Sequence, residues 1–356
     1  MRSKYIRARA QAQAQAQAQS QSQGQNQKDL NILSFSCETT IINNISTHSF
    51  NDVFEVYTSI IDNNPYLVSA DSHTHDLSIL SLDNYRLISN LFGHKSHVLS
   101  IRYFPNIKNE KEYLISSSED KSVLIWDITS NTFPDKTKIK LDYESFSYSN
   151  LLLFNINESD YIITSCNEVG CIKVYSFNDT KNYTELKNTE NNFTFYILSW
   201  DYDNKYYIIE CCQNKIALNN LLDDKDEEIT LNSHNTNISF YFNGFIYKQN
   251  YLCTCSDNGF IIIWDLVKKN AFKSICLKEC KLFNIMLWDE KYCIVAVSNK
   301  NCFKIVDIDD GKECGEIGEK NGLSVNCAKK INVKKYGEVL ITSGLDKNVK
   351  LWKKEN

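Results

Sequence analysis

Proline and glycine are scarce, 3 and 11 residues in 356, which excludes a collagen or a proline-rich linker protein. No apolar run approaches the roughly 18 residues that a membrane-spanning helix needs, so integral membrane association is not expected. An excess of basic charge is also missing. The net charge is −5, and nucleic acid is a poor partner for such a chain. There is no Gly-rich phosphate loop, no nucleophile elbow and no His-Glu-x-x-His motif, so neither an enzyme nor a cofactor is expected.

What is present is a globular composition, 42% hydrophobic and 23% charged. Its size is enough for one large repeat domain or two ordinary ones. The 13 cysteines are an odd number and fall well below the ~8–10% of disulfide scaffolds. No apolar secretory segment stands ahead of them. Reduced, mostly buried thiols in an intracellular, cytoplasmic protein are expected. Spacings such as Cys166-x4-Cys171, Cys253-x-Cys255 and Cys276-x3-Cys280 do not form the paired Cys-x2-Cys arrangement of a zinc site.

Charge is unevenly distributed. Residues 1–28 hold Arg2, Lys4, Arg7, Arg9 and Lys28 and no acid, which leaves −10 for the rest. Residues 11–27 alternate Gln with Ala, Ser, Gly and Asn and have no large apolar side chain to offset the entropy of ordering. Residues 1–38 are therefore expected to be a disordered basic tail. Its start, MRSKYIRARA, also fits a mitochondrial presequence or an electrostatic tether to an anionic surface.

Comparison of the chain with itself, the first step for any long sequence, reveals repeats. Three copies are sharp: YLISSSEDKSVLIWD from Tyr113, YLCTCSDNGFIIIWD from Tyr251 and VLITSGLDKNVKLWK from Val339. Four are degraded, starting at Tyr66, Tyr161, Tyr206 and Tyr292. Aligned on the Trp position, the anchors are Leu80, Trp126, Tyr175, Asn219, Trp264, Val306 and Trp352, spaced by 46, 49, 44, 45, 42 and 46 residues. Each unit offers about four short alternating strands, and helical periodicity is absent. Seven four-stranded antiparallel sheets in a ring make an all-β, seven-bladed β-propeller.

The last unit stops after its third strand. Thr39–Ile45 (TTIINNI) is a strand-like piece with no repeat of its own. Placed as the outer strand of the last blade, it closes the ring and covers an open sheet edge. The propeller is expected to span residues 39–353.

Gly93-His94, Trp126-Asp127 and Trp264-Asp265 resemble the signature of the WD-repeat family. The resemblance implies a buried tetrad of His, Ser/Thr, Asp and Trp in a blade. His94, Ser116, Asp120 and Trp126 match all four places. His234, Thr254 and Trp264 match in the fifth unit, where Asn258 replaces Asp, and Thr342, Asp346 and Trp352 match in the seventh, with no preceding His. A buried indole N–H and hydroxyl need partners, and a chain ending on a carboxylate supplies them.

The resemblance also implies a scaffold that binds one or more proteins through its loop faces. Transferred position by position, the partner-binding candidates are Asp52, Phe54, His97, Leu99, Glu119, Ser149, Thr194, Tyr196, Asn237, Asn284, Asn326 and Leu345. Phe54, Leu99, Tyr196 and Leu345, if exposed, would be its anchors. The alternatives are an enzyme built on a propeller and a substrate receptor of a cullin-type ubiquitin ligase. Many such relatives carry Arg two residues after Trp-Asp, whereas Thr129 and Val267 stand there in this chain.

Two polar clusters compete with this reading. Asp71, His73, His75 and Asp76 could hold a metal if the histidines shared a strand face, but they align with the turn between the second and third strands of the first unit. A solvated hairpin is expected there. Asp223–Glu228 (DDKDEE) is expected to be a solvated loop, or else a contact for a basic partner.

Overall fold

The second and third strands of every unit are runs of alternating, mostly β-branched and aliphatic residues, which favour a pleated half-buried surface. In the computed structural model they form seven four-stranded sheets, each antiparallel throughout. It describes residues 33–43, 54–71, 73–130, 139–142, 151–156, 159–166, 171–187, 194–213, 215–221, 229–232, 241–318, 325–344 and 346–355. Blade 2 is representative. Its innermost strand is Val98–Asn106, followed outward by Lys111–Ser118, Ser122–Asp127 and Ile139–Asp142.

The repeat register read from the sequence is the register of the sheets. Each of the seven anchors lies on a third strand and faces an equivalent residue of the second. The pairs are Leu67 with Leu80, Leu114 with Trp126, Ile162 with Tyr175, Ile208 with Asn219, Leu252 with Trp264, Cys293 with Val306 and Leu340 with Trp352.

Most apolar clusters lie between neighbouring blades. One joins Val68, Leu77 and Ile79 of blade 1 to Ile101, Leu114 and Trp126 of blade 2. Another joins Phe54 and Leu67 of blade 1 to Cys327, Ile341 and Leu351 of blade 7. Full burial of each such aliphatic side chain contributes about 1.5–3 kcal/mol, so stability comes from stacking sheets face to face around the ring.

Ring closure is as expected in kind. In blade 7 the order from the rim inward is Phe35–Asn43, Asn348–Lys354, Gly337–Gly344, Val325–Val333. The closing strand starts at Phe35, ahead of the expected Thr39, and its register runs from Phe35 opposite Lys354 to Asn43 opposite Asn348. The early start has a packing cause. Leu33 is buried with Trp288, Phe303 and Trp352, and the Ser34 carbonyl accepts the Glu355 N–H at 2.9 Å. Residues 44 and 45 of the expected strand lie outside the described residues, as do residues 1–32 of the expected tail and the acidic segment Asp223–Glu228.

Candidate protein-interaction surface

The tightest polar network sits where the loop into blade 2 meets its hairpin turn. Ser116 faces outward from the second strand toward Trp126, whose Nε1 donates to the Ser116 Oγ at 3.1 Å. His94 Nε2 lies 2.8 Å from the same oxygen, and its Nδ1 lies 3.1 Å from Asp120 Oδ2. Asp120 also accepts the Lys95 N–H at 2.8 Å and the Ser122 hydroxyl at 2.5 Å. Burial works to raise the Asp120 pKa, but the bonds from His94, Ser122 and the Lys95 amide outweigh it and hold the carboxyl well below the usual range. The loop before blade 2 is thereby fastened to the turn after its second strand.

The other two sharp units keep part of this arrangement. Trp264 Nε1 donates to Thr254 Oγ1 at 2.8 Å, and Trp352 Nε1 donates to Thr342 Oγ1 at 2.7 Å. Asn258 accepts from the Ser256 hydroxyl at 2.5 Å. Asp346, with no histidine before it, pairs with Lys350 at 2.8 Å. His234 lies outside the described residues. The three turns are alike. Lys121, Gly259 and Lys347, each directly after the Asp or Asn, have φ of 62°, 87° and 61°. Their N–H groups close on the carbonyls of Ser118, Ser256 and Gly344.

The partner-binding candidates separate into distinct environments. Phe54 and Leu99 are interior residues, 0% and 3% exposed, which corrects their expected exposure. Phe54 fills the joint between blades 7 and 1, with the Lys329 ammonium 5.7 Å from its ring centre. Thr194, 1% exposed, donates its hydroxyl to Glu210 at 2.6 Å. His97 and Glu119 are half-buried neighbours at the blade 2 turn, where the Glu119 N–H donates to the His97 carbonyl. The Glu119 carboxylate accepts from the Ser96 hydroxyl at 3.1 Å.

Tyr196 and Asn284 come together with residues of six blades around a central cavity of about 440 Å³. Asn326 lies on the innermost strand of blade 7. Asp52, Ser149, Asn237 and Leu345 lie outside the described residues.

Sequence reasoning missed a recurrent device on this face. In five blades the innermost strand opens with a bulge. Leu99, Phe195, Phe242, Phe283 and Asn326 are the extra residues. A bulge turns the chain and re-aims the side chains around it. Tyr196 and Asn284 follow directly after two of these bulges and reach the channel. No spacing rule marks such a residue in advance.

The channel charges were also missed. Glu55 pairs with Lys329 at 3.0 Å and lies 4.0 Å from Arg102, which joins blades 7, 1 and 2 across the lumen. The available signal was a charge placed inside an otherwise apolar inner strand.

In the turn between the second and third strands of blade 1, His73 and Thr74 are exposed, and Asp71, His75 and Asp76 are half-buried. Asp71 Oδ1 accepts the N–H groups of His73 and Thr74 at 2.7 and 2.8 Å. His75, with φ of 63°, packs its ring edge-on against His97 at 4.8 Å. No group of three or more metal-ligating side chains occurs among the described residues.

A family model, the WD domain, G-beta repeat, matches residues 85–127 and 226–265. The two matches end on Asp127 and Asp265, the final residues of the two Trp-Asp pairs. No curated protein matches the chain. The chain thus carries WD-type repeats within a seven-bladed β-propeller. That fold is typically a protein-interaction scaffold and generally non-catalytic. Among the described residues no helix is long and apolar enough to cross a membrane.

Proposed function

We propose that the protein is a non-catalytic scaffold that docks a protein partner over the channel mouth, on the face carrying the loops into the innermost strands. The observation that carries this reading is convergence. Tyr196 of blade 4 and Asn284 of blade 6, chosen by position alone, line one cavity with Glu55, Arg102 and Lys329. A rigid ring holding mixed aromatic, amide and charged groups around a concave centre suits recognition of a protruding segment. His97 and Glu119 extend the same face at blade 2.

The test is affinity purification of the tagged full chain beside a His97→Ala/Tyr196→Ala variant. Both side chains are half-buried, and Tyr196 also packs against the cluster between blades 4 and 5, so the variant's melting is compared with that of the native chain before capture. A stoichiometric partner captured by the native chain and lost from the folded variant is the expected result. Retention of every partner by the variant would remove this face from consideration.

A further inference from the structure

A second site lies away from the channel, between blades 1 and 2, at the ends of the strands opposite the tetrad turn. Its core is a carboxylate. Glu112 is the second residue of the second strand of blade 2 and is 4% exposed. Its Oε1 accepts the Ile60 N–H at 2.7 Å and the Tyr103 hydroxyl at 2.6 Å, and its Oε2 accepts the Ser59 hydroxyl at 3.1 Å. Asp62 stands nearby and accepts the Tyr66 hydroxyl at 2.6 Å. Neither carboxylate has a basic side chain against it among the described residues. A buried carboxylate without a counter-charge is costly even when hydrogen-bonded.

The second observation is Tyr57. It is 6% exposed, its ring is stacked 4.1 Å from that of Tyr103, and its hydroxyl makes no hydrogen bond among the described residues. Tyr57, Glu112 and Asp62 line one cavity of about 50 Å³, together with Ile61 and Ile88. A water-sized group takes about 10–15 Å³ of such space, so the cavity has room for roughly three to five. That matches an ammonium and the last methylenes of an unbranched chain. Of its lining, Ile61 and Ile88 are 50% and 42% exposed, and their chain neighbours Ile60 and Leu87 are 43% and 55% exposed, so the cavity is edged by an apolar rim.

We propose that this pocket receives the ammonium end of a lysine side chain from a partner protein. The ammonium donates to the Glu112 carboxylate and the Tyr57 hydroxyl, and the methylene stem lies against Ile61 and Ile88. A compact charge on a flexible stem suits the narrow cavity, whereas a planar guanidinium with five donors does not. A free amine would fill the cavity and leave the apolar rim wet. A partner's lysine, flanked by apolar residues, covers both. This rests on the scaffold reading and names the chemistry of one of its contacts.

The test is calorimetric titration of the full chain with three peptides, Ac-Gly-Leu-X-Ile-Gly-amide, where X is Lys, norleucine or Arg, with butylammonium as the free-amine arm. The Lys peptide should bind about tenfold tighter or more than the norleucine and Arg peptides, and tighter than butylammonium. Glu112→Gln should abolish this preference. Glu112 also holds the Ser59–Ile60 turn, so that variant could loosen the fold. Tyr57→Phe keeps the ring stack and every existing hydrogen bond, and should still weaken Lys binding by about tenfold.

Equal binding of the Lys and norleucine peptides, or no binding by either, would overturn the proposal. So would Lys affinity unchanged in both variants. Butylammonium binding as tightly as the Lys peptide would overturn the assignment to a partner's side chain. Copurification through the channel face is a separate measurement, so the pocket and the scaffold reading can fail independently.

Discussion

The Asn219 side-chain amide donates to the Glu210 carboxylate at 2.5 Å, in the place where other blades join an indole to a hydroxyl. Asn219 occupies the Trp position of blade 4, and Glu210 pairs opposite Ala217 as Ser116 pairs opposite Leu124. Thr194 supplies a second donor to the same carboxylate. Blade 4 therefore keeps the logic of the tetrad with different groups: a third-strand donor bonded to a buried second-strand acceptor.

That substitution predicts a cost for breaking it. Glu210 is 1% exposed, so removing a donor leaves part of a buried carboxylate without its partner. Asn219→Ala should destabilise the protein by about 1–3 kcal/mol. Thr194→Val should do likewise, and the double variant should cost less than the sum because the two donors share one acceptor. Urea unfolding of the four proteins measures this. Strict additivity would mean that the three residues are energetically independent.

The tetrad of blade 2 predicts a larger effect. Trp126 is 5% exposed and packs with Leu114, Ile101 and residues of blade 1. Trp126→Ala should cost about 3–5 kcal/mol, as truncation of a buried aromatic does. Ser116→Ala, which leaves an indole N–H and an imidazole without their shared oxygen, should cost about 1–3 kcal/mol. Unchanged melting of either variant would contradict the packing described for this blade.

Asp120 gives a pH signature. Its folded pKa is depressed despite burial, so its contribution is present above the unfolded carboxyl value of about 3.9. It is lost as pH falls from there toward the folded value. The melting gap between the native chain and Asp120→Asn should be full at pH 7 and should narrow below about pH 4. A gap that stayed constant down to pH 2 would show that the ionised form is not the stabilising one.

The repeat period was legible because every blade must seat one third-strand side chain opposite the same second-strand position. The anchors hold this register even where Leu80, Asn219 or Val306 replaces Trp. Ring closure was legible for a related reason, since a sheet ending on its third strand leaves an edge to cover. The start at Phe35 was not, because it depends on Leu33 packing against residues some 250 or more positions away. Phe54 and Leu99 were misplaced because an inner-strand residue can point into the joint between blades as well as toward the channel. The Glu55–Lys329 pair spans 274 residues, and no local pattern announces it.

Thiol chemistry distinguishes the core from the rim. Eleven described cysteines form no disulfide among the described residues. Burial pushes the thiols of Cys253 and Cys255 well above their ordinary value and that of Cys293 up to about 12. The thiolate is the reactive species, so these groups should be inert in the folded protein. Cys37 and Cys276 are exposed and should react with a thiol reagent within minutes. Peptide mapping after brief alkylation should find label on Cys37 and Cys276, and label on Cys253, Cys255 and Cys293 only after unfolding. Early label on Cys253 would place it outside the core.

The closing strand offers the most local test of the ring. Gly315 lies on the outer strand of blade 6, Glu313–Ile317. A Cβ built there would run into the carbonyl oxygen of Leu33 and come within 3.2 Å of Ile305 Cδ1. Gly315→Ala must therefore push Leu33 off blade 6 or shift the strand beneath it. Overpacking of this kind costs about 1–3 kcal/mol.

Gly337 is the control, because its φ is 72° and nothing lies within 4 Å of the added atom. Gly337→Ala carries backbone strain of about 1–2 kcal/mol without any clash. Both variants should melt earlier, but hydrogen exchange should separate them. In Gly315→Ala the amides of Phe35–Asn43 should lose protection while the inner strands of blades 6 and 7 keep theirs, because local opening follows the elements with the least packing. In Gly337→Ala the closing strand should exchange as in the native chain. Equal protection of Phe35–Asn43 in both variants would mean that Leu33 does not hold the closing strand in place.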